Sequence, residues 1–109
     1  MANAYKVLAQ SAPSAATATN VYTVPAATET VISTVIIANR AASAGTFRLS
    51  VRPNGGTQTN AMYCAYDVPV AGNHSTTLTL GLTVDATDVI TVYCSSADMS
   101  INIFGTEIS

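Results

Sequence analysis

Thr28-Glu29-Thr30-Val31-Ile32-Ser33-Thr34-Val35-Ile36-Ile37-Ala38-Asn39-Arg40 is the stretch on which the fold turns, because nowhere else in the chain are β-branched residues so dense. Branching at Cβ restricts χ1 in a helix and suits the pleated surface of a strand. Val31, Ile32, Val35, Ile36 and Ile37 place apolar side chains on both faces of an extended segment, an arrangement stable where both faces are covered. The pattern predicts a central strand over residues 29–39 with both faces buried.

Outward from this strand, no stretch repeats apolar positions at helical spacing, and Thr, Val and Ile favour strands, so the chain reads as all-β. Towards the N-terminus, residues 5–10 and 20–24 read as strands, the second stopped by Pro25, which cannot donate to a ladder. Towards the C-terminus, the small residues 40–45 read as a turn and 46–52 as a strand, the two strands around that turn pairing as an antiparallel hairpin. Residues 46–52 alternate cleanly: Phe47, Leu49 and Val51 on one face, Thr46, Arg48, Ser50 and Arg52 on the other. Pro53-Asn54-Gly55-Gly56 opens a loop with an exposed tip that runs to Asn60.

Residues 61–68 resume as strand, with Tyr63, Ala65 and Asp67 opposite Met62, Cys64, Tyr66 and Val68, until 69–73 break it. Residues 75–82 form the next strand, with Leu78, Leu80 and Leu82 inward, and Asp85-Ala86-Thr87-Asp88 is a turn capped by its own carboxylates. Residues 89–94 and 99–108 complete the set. About eight short strands at this spacing predict a two-layer antiparallel β-sandwich, and eight is the natural count for a jelly roll.

With 109 residues and no linker, the expectation is one domain over 1–109, with 1–19 serving as an extended N-terminal contact segment. Only 9% of residues are charged, against roughly 25% in typical soluble domains. Such a surface stays soluble through hydroxyls, or is covered by other chains. Four basic and six acidic residues are scattered singly, which argues against nucleic acid and anionic membranes as partners. The N-terminus lacks a basic region followed by a long apolar one, and no apolar run reaches the ~20 residues that span a bilayer, so synthesis in the cytoplasm is expected.

Chemistry-bearing patterns are scarce. His74 is the only histidine and stands in a turn beside Asn73, with no metal-ligand spacing around it. No catalytic residue, cofactor site or metal site is assigned, and the chain does not read as an enzyme. Cys64 and Cys94 admit one disulfide or two reduced thiols. The residues that read as contact-makers are Arg48 and Arg52 on the polar face of one strand, Asn54 at the loop tip, and Tyr5, Tyr63 and Tyr66, aromatic side chains with a polar end.

Four stretches together carry a resemblance: Asn-Val-Tyr-Thr-Val-Pro-Ala-Ala from Asn20, the run from Ile36 to Val51 with Gly-Thr-Phe-Arg-Leu-Ser-Val, Thr-Val-Asp-Ala-Thr-Asp-Val-Ile-Thr-Val-Tyr from Thr83, and Ile-Asn-Ile-Phe-Gly-Thr-Glu-Ile from Ile101. In this order the chain resembles small structural proteins of tailed bacteriophages. The resemblance implies a homo-oligomeric β-sandwich of the virion, a trimer by first expectation. Its role would be a capsid decoration or cement protein, or an accessory of neck, tail or baseplate bound to other phage structural proteins. The other reading, from jelly rolls that carry sugar sites, is a carbohydrate- or receptor-binding module of a phage tail or fibre.

Overall fold

The computed structural model describes residues 2–109; Met1, the first residue of the expected N-terminal contact segment, lies outside them. Nine strands are formed among the described residues: β1 (Asn3–Ser11), β2 (Thr19–Thr23), β3 (Glu29–Asn39), β4 (Gly45–Arg52), β5 (Tyr63–Val70), β6 (Ser75–Leu78), β7 (Leu82–Val84), β8 (Val89–Cys94) and β9 (Met99–Ile108). Two single 3-10 turns, Pro53–Gly55 and Asn60–Met62, lie between β4 and β5, and there is no α-helix among the described residues. One sheet runs β1-β9-β3-β6, with β7 also on β3, and the other runs β2-β8-β4-β5. Every pairing is antiparallel, and the inner faces of the two sheets enclose a single core.

The strand that decides the fold is central, held by β9 on one side and by β6 and β7 on the other. Its two faces are not equally covered, contrary to the expectation from its composition. Thr30, Ile32, Val35, Ile37 and Asn39 are buried, whereas Val31, Thr34, Ile36 and Ala38 remain partly exposed. A bulge explains the misreading: register with β9 slips between Ile32 and Thr34, so an extra residue, Ser33, reverses the alternation. Ile32 and Val35 thereby share the inner face, and the outer face receives the remaining apolar residues.

β4 shows the expected alternation, with Phe47 and Leu49 buried and Val51 packed against the core, but it does not pair with β3. The predicted hairpin is replaced by a crossing from one sheet to the other. Asn39, 2% exposed, organises that crossing: its Nδ2 donates to the carbonyls of Ser43 (2.9 Å) and Val70 (3.1 Å), and its Oδ1 accepts from Ala41 N–H (3.0 Å). A buried amide that satisfies three backbone groups of a turning chain is what a tight hairpin would lack room for.

Three further expectations are corrected. β5 continues through Pro69 to Val70, which an edge strand permits because that N–H position needs no partner. Within it a bulge at Asp67, whose φ is +49°, shifts the alternation, so Ala65 and Val68 face the core and Tyr66 and Asp67 face outward. Residues 75–82 are two strands, interrupted before Gly81 (φ +62°), and Leu80 at the break is 42% exposed while Leu78 and Leu82 pack on the core.

Candidate functional site

The outer face of the β2-β8-β4-β5 sheet gathers three of the six residues singled out in the sequence. The guanidinium of Arg48, projecting from β4, lies 4.2 Å from the Tyr66 ring centroid and 4.4 Å from that of Tyr93 on β8. Tyr63 meets Tyr66 edge-on, with centroids 4.9 Å apart. Arg48 Nε donates to Asp67 Oδ1 at 2.7 Å, and the left-handed backbone of the β5 bulge presents that carboxylate. The hydrogen bond to Asp67 raises the Arg48 pKa further above its already high ordinary value, so the cation is permanent. Tyr66 remains 56% exposed.

Arg52 and Asn54 occupy the end of the same sheet but are engaged within the chain. Arg52 donates from Nε to Gly56 O (2.8 Å), from Nη2 to Gly55 O (3.0 Å) and from Nη1 to Asn20 Oδ1 (2.7 Å) and Thr91 Oγ1 (3.3 Å). It binds loop 53–56 to β2 and β8. Asn54, at φ +55°, donates its N–H to Asp88 Oδ1 (2.8 Å) and accepts from Thr87 Oγ1 (2.6 Å). Asp88 Oδ2 accepts from Asp85 N–H (2.9 Å) and Asp85 Oδ1 from Ala86 N–H (2.8 Å), the carboxylate capping expected of that turn. Two loops are thus docked into one.

Tyr5 lies far from these, on the outer face of the other sheet, 79% exposed. Register places it opposite Thr106, and Val7, 48% exposed, opposite Phe104. Val31, Ile36, Phe104 and Ile108 are partly exposed on that side as well. The apolar outer face created by the β3 bulge therefore continues to the edge of the sheet.

One polar cluster went unread in the sequence. Tyr22 on β2 donates its hydroxyl to Glu107 Oε2 on β9 (2.6 Å), and Glu107 Oε1 is 2.7 Å from Lys6 Nζ on β1. Having one proton, the phenol must accept from Thr30 Oγ1 of β3, 2.9 Å away. Burial, with the Glu107 carboxylate beside it, pushes the Tyr22 pKa up to about 12. Lys6, and then Tyr22, hold the Glu107 carboxyl below its usual range. These four groups, each unremarkable alone, clasp the two sheets together; only the fold brings them within reach.

His74 is exposed at the turn after β5, and its backbone carbonyl accepts from Asn39 N–H at 2.8 Å. Among the described residues, no group of three or more His, Cys, Asp or Glu side chains is placed to hold a metal ion. Cys94 is buried and Cys64 exposed, both as free thiols, and burial pushes the Cys94 thiol up to about 11. A shallow depression of about 280 Å³ beside β7 is lined by Glu29, Asp85 and Ile108 among others, with no nucleophile that a base could activate beyond threonine hydroxyls. No helix of the described residues is long and apolar enough to cross a membrane. Compared with protein-family models and with curated proteins, the chain matches none.

Proposed function

We propose that the protein is a homo-oligomeric structural component of a bacteriophage virion, a capsid-decorating cement protein or an accessory of neck, tail or baseplate, whose work is to join subunits. The observation that carries this is the outer face of the β1-β9-β3 sheet, where Tyr5, Val7, Val31, Ile36, Phe104 and Ile108 form an apolar surface on a chain with few charges. Surfaces of this kind bury well against another chain and offer no cleft in which to transform a substrate. The resemblance supplies the setting, and the residues supply the joining surface.

The finer reading of the fold as an eight-stranded jelly roll is supported by strand order. β6 and β7 both pair with β3 on the same side and count as one interrupted strand. Numbered so, the sheets run 1-8-3-6 and 2-7-4-5, with strands passing repeatedly between layers as in two nested Greek keys.

A second reading, a carbohydrate- or receptor-binding module, has the Tyr63–Tyr66 pair in its favour. Against it, Arg48 already covers a face of both Tyr66 and Tyr93, so a sugar ring would have to displace a cation held by Asp67. Proteomics of density-purified phage particles tests the structural role. That role predicts the chain in many copies per particle. Its absence from intact particles would refute it. Glycan-array binding lost on Tyr66→Ala would favour the second reading.

A further inference from the structure

Of the four sheet edges, three are blunted against pairing with another strand. The β6/β7 edge consists of strands of 4 and 3 residues broken at Gly81, β2 has 5 residues and is followed closely by Pro25, and β5 carries Pro69 and the Asp67 bulge. Short strands, proline and bulges are the devices by which proteins keep edges from associating. β1 is different: it is 9 residues long, without proline, and its one register slip, between Val7 and Ala9, leaves Asn3 to Val7 in unbroken register with β9. Its one charged residue, Lys6, is tied to Glu107 of its own chain.

The hydrogen-bond parity of this edge can be fixed. Ala2 and Ser109 exchange both backbone bonds, Ala2 N–H to Ser109 O (2.7 Å) and Ser109 N–H to Ala2 O (2.9 Å). In an antiparallel ladder bonded and non-bonded pairs alternate, so Ala4 and Lys6 direct their N–H and C=O groups at β9, whereas Asn3, Tyr5 and Val7 direct theirs outward. The same three residues carry the side chains of the outer face, since Ala4 and Glu107 form an inward pair.

We infer that two copies of the protein join by pairing β1 with β1 of the second copy, antiparallel about a two-fold axis at Tyr5. This rests on the reading of the protein as one that joins copies of itself, and it departs from the expected trimer by making the contact at this edge two-fold. Centred there, Tyr5 pairs with Tyr5 of the second copy, and Asn3 with Val7 in both directions, so all the outward backbone groups of residues 3–7 are matched. The most exposed aromatic ring of each copy, Tyr5, meets its counterpart across the strands, extending the apolar outer face into one continuous surface. Lys6 falls opposite Ala4. A centre one residue later would set Lys6 against Lys6, which like-charge repulsion disfavours. A centre one residue earlier matches fewer outward groups within 3–7.

The test is amide hydrogen exchange of the intact protein across a concentration series, with Tyr5→Pro as the variant. Tyr5 N–H has no partner inside the chain, so proline there removes no β1–β9 bond. The expected result is exchange at Asn3 and Tyr5 slowed about tenfold or more at high concentration, with Ala4 and Lys6 protected throughout. Tyr5→Pro should reduce a species of twice 11.2 kDa to one of 11.2 kDa with an unchanged far-ultraviolet spectrum. An oligomer whose Asn3 and Tyr5 amides exchange freely would overturn the β1 pairing and leave the joining role standing. A monomer at every concentration would overturn both.

Discussion

Replacing Tyr22 by Phe removes a single oxygen atom from the clasp between the sheets and leaves the ring, so no cavity confounds the result. Two hydrogen bonds go: one to the Glu107 carboxylate at 2.6 Å and one from Thr30 Oγ1 at 2.9 Å. A bond to a charged group contributes about 1.5–3 kcal/mol and a neutral one about 1, and Thr30, only 1% exposed, is left with its hydroxyl unpartnered. The expected loss is about 2–3 kcal/mol, or roughly 10 °C in Tm for a domain of this size. Urea unfolding should show a lower midpoint with an unchanged m-value. The pH dependence adds a second readout. Glu107 is held below its ordinary 4.5, so its contribution is present above that pH and is lost as pH falls through the lower folded value. Tyr22 has its pKa raised from 10 to about 12, so its contribution is present below pH 10 and is lost as pH climbs through that window. The variant should lack the alkaline loss and show a weaker acid one. A destabilisation under about 0.5 kcal/mol, or an unaltered pH profile, would refute the clasp.

Asn39→Ala strands three backbone groups at the crossing between sheets, two of them carbonyls, and should cost about 2–3 kcal/mol in chemical denaturation. Gly105→Ala would set a methyl 2.1 Å from Val31 O beside the β3 bulge, so calorimetry should show a loss of about 1–3 kcal/mol or failure to fold. Thiol titration of the native protein should count one reactive cysteine, Cys64, with Cys94 reacting only after unfolding. Arg48→Ala should leave Tm almost unmoved while altering the near-ultraviolet signal of Tyr66 and Tyr93, whose faces it uncovers.

The strand at 29–39 declared the fold class because its branched residues suit little else, and the clean alternation of 46–52 placed Phe47 and Leu49 correctly in the core. What alternation cannot reveal is a bulge. Ser33 and Asp67 each shift a strand by one residue, and so the exposed apolar face of β3 and the outward pairing of Tyr66 with Asp67 stayed hidden. Partner choice differs at residues 40–45, where small residues suggest a tight hairpin and Asn39 instead anchors a crossing. Of the candidate contact residues, Arg48, Tyr63 and Tyr66 are brought together, Tyr5 stands on the opposite face, and Arg52 and Asn54 stabilise a loop. The packing of Arg48 on Tyr93 and its bond to Asp67 arise only from register between neighbouring strands, which no local pattern shows.

Light scattering on the purified, intact protein over a range of micromolar concentrations tests the account most directly, because a chain built to join others must do so first with itself. The account predicts a molar mass of two or more whole multiples of 11.2 kDa. A mass of 11.2 kDa that persists to the highest concentration would contradict it.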